Sequence, residues 1–171
     1  MTLTFVVFRE PDMPRYLVPS TAFQIALDLA RAVVACSLQL PQAERALCDS
    51  FPEMSPRTAK GYIGSYVAMR RGAKSFATTI AASAWKLYLE DIAIGGAGPL
   101  SVGLDTFLSH IVYLQSKTTG PEAALHRVYD EFVDVLKGMA IHECVVENLD
   151  AAVRKSLRRK TTSARGQADA G

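Results

Sequence analysis

Three histidines, three cysteines and one tryptophan in 171 residues leave little from which to build a catalytic or metal centre. Cys36, Cys48 and Cys144 are widely spaced with no Cys-x-x-Cys pair, which excludes a zinc ribbon and a disulfide framework. They are expected to be reduced thiols buried as small hydrophobes. His142-Glu143-Cys144-Val145-Val146 begins like the zinc-protease pattern His-Glu-x-x-His, but Val146 stands where the second ligand is needed. Glu122 and His126 are four apart, not three, and no second copy exists, so a di-iron bundle is excluded and an exposed helical salt link is expected. His110 lies among Leu108, Ile111 and Val112, as a core or boundary histidine satisfied by a hydrogen bond does. The glycines at 95–99 lack the Gly-Lys-Ser/Thr ending of a phosphate loop, and no Gly-x-Ser-x-Gly elbow occurs. The expectation is a protein with no catalytic residues, no metal and no cofactor.

Long uncharged apolar runs are also missing. The two best stretches are broken by Asp28 and Arg31, and by Lys86, Glu90 and Asp91, so neither reads as a membrane span. The start, MTLTFVVFRE, has no basic leader region and too short an apolar run for a secretory signal, which makes the cytoplasm the expected location and excludes a membrane partner. With 49% hydrophobic and 21% charged residues the balance is that of a globular domain.

What is present is helical periodicity. Residues 2–8, Thr-Leu-Thr-Phe-Val-Val-Phe, read as one short strand. Ser20 or Thr21 is placed to cap a helix to about Leu38 that is apolar on most faces, and so is expected to be the central buried helix. Pro41 suits the first turn of a second helix ending near Phe51. Ser55-Pro56 opens a third helix that ends at Arg71 and Gly72. A fourth is expected from about Lys74 to Ile94, burying Phe76, Ile80, Ala84, Leu87 and Tyr88, before residues 95–99 break the chain. A fifth uses Leu104, Phe107, Leu108, Ile111 and Leu114. Leu125, Val128, Tyr129, Phe132 and Leu136 then form a stripe that continues, offset around Gly138, as Ile141, Val145, Leu149, Val153 and Leu157, so a bend or two helices in line are expected there. The fold class is all-α: a bundle of about six helices with one N-terminal strand, a single domain over residues 1–160 and a disordered tail at 161–171.

Charge is segregated along this frame. Residues 54–89 hold six bases and no acid, residues 121–150 seven acids against Arg127 and Lys137, and residues 154–165 six bases and no acid. Such blocks make surfaces for phosphate or for an oppositely charged neighbour.

Residues 44–71 resemble a helix-turn-helix DNA-binding motif. Leu47, Cys48 and Phe51 take the first-helix positions, Met54 the inward turn position, and Ser55-Pro56-Arg57-Thr58 the opening of a recognition helix whose Ala59 and Tyr62 face its partner. Pro52-Glu53 lengthen the turn by one residue and replace its usual glycine. No particular family is implied. The resemblance implies an outward face of Arg57, Lys60, Gly61, Gly64, Ala68 and Arg71, with Thr58 near phosphate or base edges. Gly61 and Gly64 read equally well as a notch for another helix. The candidate nucleic-acid-binding residues are Arg57, Thr58, Lys60, Arg70, Arg71 and Lys74, with Arg154, Lys155, Arg158, Arg159 and Lys160 as a basic arm. The function expected is non-catalytic nucleic-acid binding, DNA ahead of RNA. The alternatives are a helical small subunit of a nucleoprotein complex, RNA-guided or similar, and a protein-binding adaptor or inhibitor; protein partners or self-association accompany each.

Overall fold

The computed structural model describes residues 18–73, 80–117 and 123–168, and the side chains of the last segment as far as residue 147 apart from residue 145. Within these residues the chain is all helix: α1 (Ser20–Val34), α2 (Leu40–Ser50), α3 (Pro56–Arg71), α4 (Ala82–Ala93), α5 (Ala97–Gln115) and α6 (Ala123–Ala168). The expected strand at 2–8 lies outside the described residues, as do Lys74 and Phe76.

The core is one cluster drawn from all six helices. Its centre is α3, which packs against α1, α2, α4 and α5 and buries Ala59, Gly61, Tyr62, Ile63, Ser65, Tyr66, Val67 and Met69. This corrects the expectation that α1 is central. α1 buries Ala22, Phe23, Ala26, Leu27, Ala30 and Val33 on one face, while Gln24, Ile25, Asp28 and Arg31 are exposed. Its apolar surplus does not make it inner, because a single buried stripe is enough to hold a peripheral helix. α1 begins at Ser20 itself, with Pro19 at the N-cap position and no side-chain cap, and it ends four residues before Leu38.

α3 is bounded as its residues dictate. Ser55 Oγ accepts a hydrogen bond from the Thr58 backbone N–H at 3.1 Å, Pro56 occupies the first turn, and Gly72 turns left-handed at φ 68° to close the helix. A Cβ at Gly72 would meet Val102 Cγ1 at 3.2 Å, so both conformation and space favour glycine.

The fourth helix starts at Ala82, eight residues later than expected, with Ile80 and Ala81 in non-helical chain before it. Its core residues are Ala84, Trp85, Tyr88, Leu89 and Ile92; Leu87 is only half-buried. Trp85 stacks on Phe107 at 4.7 Å and lies 5.1 Å from the His110 ring. The break expected over 95–99 contracts to a turn at 94–96, and α5 resumes at Ala97 with Pro99 in its first turn, where a missing N–H costs nothing. In α5, Leu108 faces outward and Leu114 is half-buried, while Leu100, Gly103, Leu104, Thr106, Phe107, His110 and Ile111 are buried.

α6 is one continuous helix through Gly138, not two. It packs by Leu125, Val128 and Phe132, with Tyr129, Val133, Leu136 and Met139 half-buried against the core. It runs on to Ala168, so residues 161–168, expected as part of a disordered tail, are drawn into its helical backbone. Lys86 Nζ pairs with Glu131 Oε1 at 2.6 Å across α4 and α6.

Candidate functional site

α3 is enclosed on every side but one. The residues at 57, 60, 64, 68 and 71 recur at three- and four-residue spacing and therefore lie along one face. Arg57, Lys60 and Arg71 are exposed there, with Gly64 and Ala68 half-buried between them. From residue 57 to residue 71, at 1.5 Å per residue, the strip is about 20 Å long. A Cβ added to Gly64 would have nothing within 4 Å, so none of the described residues packs there. That answers half of the glycine question: Gly64 is an open position, whereas Gly61 is buried and does not belong to the outward face expected for it. The Gly61 carbonyl accepts a hydrogen bond from Ser65 Oγ at 2.7 Å.

The strip is positive along its length. α3 carries Arg57, Lys60, Arg70 and Arg71 and no acid. Among the described residues none of these four makes an ion pair with a carboxylate. Cations near the C-terminal end also complement the helix dipole, but Arg57 and Lys60 sit at the opposite end, where the dipole disfavours them. Their position is therefore not accounted for by helix stability.

The charge of Arg70 is felt by Asp91 of α4, a carboxylate that is already engaged. Its side chain is 12% exposed; Arg31 Nε donates to Oδ1 at 3.0 Å, the same guanidinium donates through a second nitrogen, and the Tyr66 hydroxyl donates to Oδ2. Burial works against ionisation of Asp91, yet the hydrogen bonds from Arg31 and Tyr66, with the charges of Arg31 and Arg70, hold its carboxyl below the usual carboxylate range. Burial and the Asp91 hydrogen bond push the Tyr66 phenol up to about 12. The clamp ties α1, α3 and α4 together and fixes the side of α3 that faces inward. With Arg31 also bonded to Asp28 at 2.9 Å, it is a structural junction with no open coordination for a ligand.

Thr58, expected near phosphate or base edges, is half-buried, and its hydroxyl lies 2.8 Å from Ser55 Oγ as part of the cap. Over residues 44–71, Leu47, Met54, Ala59 and Tyr62 are buried, with Cys48 and Phe51 half-buried. Arg154, Lys155, Arg158, Arg159 and Lys160 lie on the α6 backbone, well along the chain from the α3 strip. Lys74 is outside the described residues.

The remaining chemistry-bearing residues do not converge. Among the described residues no three His, Cys, Asp or Glu side chains are grouped to hold a metal ion. Cys36 and Cys144 are exposed and Cys48 is half-buried, which corrects the expectation of buried thiols. Cys36 lies in the turn after α1 at φ 59°, outside the stripe that packs. Burial, with Asp49 and Glu44 nearby, pushes the Cys48 thiol up and away from reactivity. His110 is fully buried, and that burial pushes its imidazole down to about 4. His126 meets Gln115 at 2.8 Å across α5 and α6; its expected partner Glu122 is outside the described residues. Among the described residues no helix is long and apolar enough to cross a membrane.

Comparison of the chain with protein-family models, with curated proteins and with solved structures gives no match.

Proposed function

We propose that this chain is a non-catalytic nucleic-acid-binding protein that holds a phosphate backbone along the open strip of α3, with the basic segment of α6 as a second contact. One observation carries the reading: among the described residues, a helix otherwise enclosed by its own bundle has one face left uncovered at Gly64, with cations that make no ion pair at both ends of it. Lysine and arginine around a low surface give a phosphate chain close approach, and release of counterions drives the association. Duplex DNA is the proposed ligand ahead of RNA, on the helix-turn-helix resemblance of residues 44–71.

Sequence reading is proposed to be weak. With Thr58 engaged in its cap and Gly61 buried, only Arg57 and Lys60 are left at the N-terminal end of the strip to reach base edges. This favours a subunit that holds a strand without reading it over a sequence-specific repressor-like protein.

The test is fluorescence anisotropy with labelled duplex DNA, single-stranded DNA and RNA over a salt series. Wild type should bind with a steep salt dependence that differs little between sequences. Replacing Arg57, Lys60 and Arg71 together by alanine should flatten the slope of log affinity against log salt by about 0.9 for each lost contact to duplex DNA. Gly64→Glu, at a position with room for it, should weaken binding without loss of fold. Absence of binding to all three probes at low salt overturns the proposal and leaves the protein-binding adaptor in its place.

A further inference from the structure

The open side of α3 is the floor of a groove. Around α3, α2 touches α1, α1 touches α4 and α4 touches α5, and all four pack on α3, but among the described residues α2 and α5 do not touch each other. The strip from Arg57 to Arg71 therefore runs between α2 and α5, which form its walls. At the Arg71 end the α5 side of the groove is hollow. A cavity of about 160 Å³ opens there, lined by Gly72, Val102, Asp105, Thr106 and Ser109. It lies on the outer edge of the contact between α3 and α5: Val102 and Asp105 are exposed, whereas Gly103, on the inner edge, packs on Ile92 and Leu89 of α4.

Size and lining restrict what enters. The volume is that of about five waters at about 30 Å³ each, and well below the roughly 300–1,000 Å³ of pockets for drug-sized ligands. That is room for one planar ring system and not for a whole nucleotide. Thr106 lines the cavity although only 2% of its surface is exposed, and among the described residues its hydroxyl makes no hydrogen bond. A buried hydroxyl left in that state is open to a ligand. Ser109 Oγ donates to the Asp105 carbonyl at 2.9 Å, which keeps its own lone pairs available to accept. Asp105 decides the chemistry. A carboxylate repels phosphate, so the group that comes beside it is uncharged and donates hydrogen bonds.

We propose, resting on the α3 reading, that an unpaired guanine of the bound strand enters this cavity while its phosphate lies on Arg71. Guanine is the base that offers a carboxylate two adjacent donors, N1–H and N2–H, with no acceptor between them. In cytosine and adenine the amino group stands beside a ring nitrogen that accepts, and in thymine and uracil the one N3–H is flanked by two carbonyls. Asp105 repels each of those acceptors. The Thr106 hydroxyl is then placed to donate to guanine O6. These groups form the edge that guanine uses in pairing, so a fully paired duplex rests on the strip alone, and the cavity takes a base from a strand end, a bulge or a single-stranded stretch.

Fluorescence anisotropy with an oligothymidine strand, and with the same strand carrying one central guanine, cytosine or adenine, tests this. Wild type should prefer the guanine strand by about tenfold, the discrimination of a good bidentate pair. Asp105→Asn should bring the ratio of guanine to thymine affinity close to one; the ratio is the readout, because loss of a negative charge strengthens every strand. Thr106→Val, which keeps the shape, should lower the same ratio. In both variants the salt slope should be equal for the two strands, whereas replacing Arg57, Lys60 and Arg71 flattens it for both. Equal binding of all four strands, or a guanine preference untouched by Asp105→Asn, overturns the proposal and leaves the α3 strip standing. Where no strand binds, the α3 reading falls, and amide NMR with guanosine monophosphate decides the cavity. Shifts at Gly72, Asp105 and Thr106 that adenosine monophosphate does not produce retain it, and their absence overturns it as well.

Discussion

His110 should make this protein sensitive to mild acid, and the size of the effect follows from its burial. The ring is fully enclosed against Trp85, and desolvation lowers its folded-state value from 6.5 to about 4. The neutral form is the one the core accepts, so between those two values the unfolded chain binds the proton and the folded chain does not. Stability is therefore complete above the unfolded value and is lost as pH falls toward the folded one. Each unit of difference is about 1.4 kcal/mol, giving a loss of about 1.4 kcal/mol by pH 5.5 and about 2.5 kcal/mol by pH 4.5. Asp91, whose folded value is depressed, keeps its stabilising charge throughout that interval and loses it only in stronger acid. Urea unfolding at a series of pH values from 7 to 4.5, on wild type and His110→Leu, reads the difference. Leucine has a similar volume and no proton to take up, so its absolute stability is less informative than its slope. The wild-type decline should be shallower in the variant by about the 2.5 kcal/mol assigned to His110. An identical decline in both would refute the assignment.

Asp91→Asn should destabilise by about 1–3 kcal/mol, since it weakens charge-assisted bonds from a half-exposed Arg31 and a buried Tyr66; urea titration at neutral pH measures it. Its contribution should persist at pH 4.5 and disappear as pH falls through the lowered folded value, the stabilising form being the carboxylate. Tyr88→Phe should leave the Tm unchanged or raise it, because the Tyr88 hydroxyl is buried and has no hydrogen-bond partner among the described residues. A fall of several degrees in calorimetry would show that the hydroxyl is satisfied. Gly64→Ala should stabilise by about 0.5–1 kcal/mol, the helix-propensity difference, since its new methyl meets nothing; destabilisation in urea melts would mean that the position is covered.

What the sequence revealed about the fold was whatever is encoded locally. Ser55, Pro56 and Gly72 mark the ends of α3 by chemistry that acts within a few residues, and those ends were legible. The rank of the helices in the core was not. α1 and α3 both carry apolar residues on several faces, and only packing distinguishes a helix covered on every side but one from one lying on the surface. For α4 the apolar pattern continues back to Phe76 and so suggests a helix longer than the one that starts at Ala82, because Ile80 and Ala81 bury their chain without helix. Conversely the break at 95–99 is narrower than its glycines suggest, since Gly98 and Pro99 fit a first turn. The Asp91 clamp left no trace in periodicity, because its partners are 60 and 25 residues away. Of the candidate strip, Arg57, Lys60 and Arg71 were legible from spacing, whereas separating open Gly64 from buried Gly61 required knowing which neighbours α3 has.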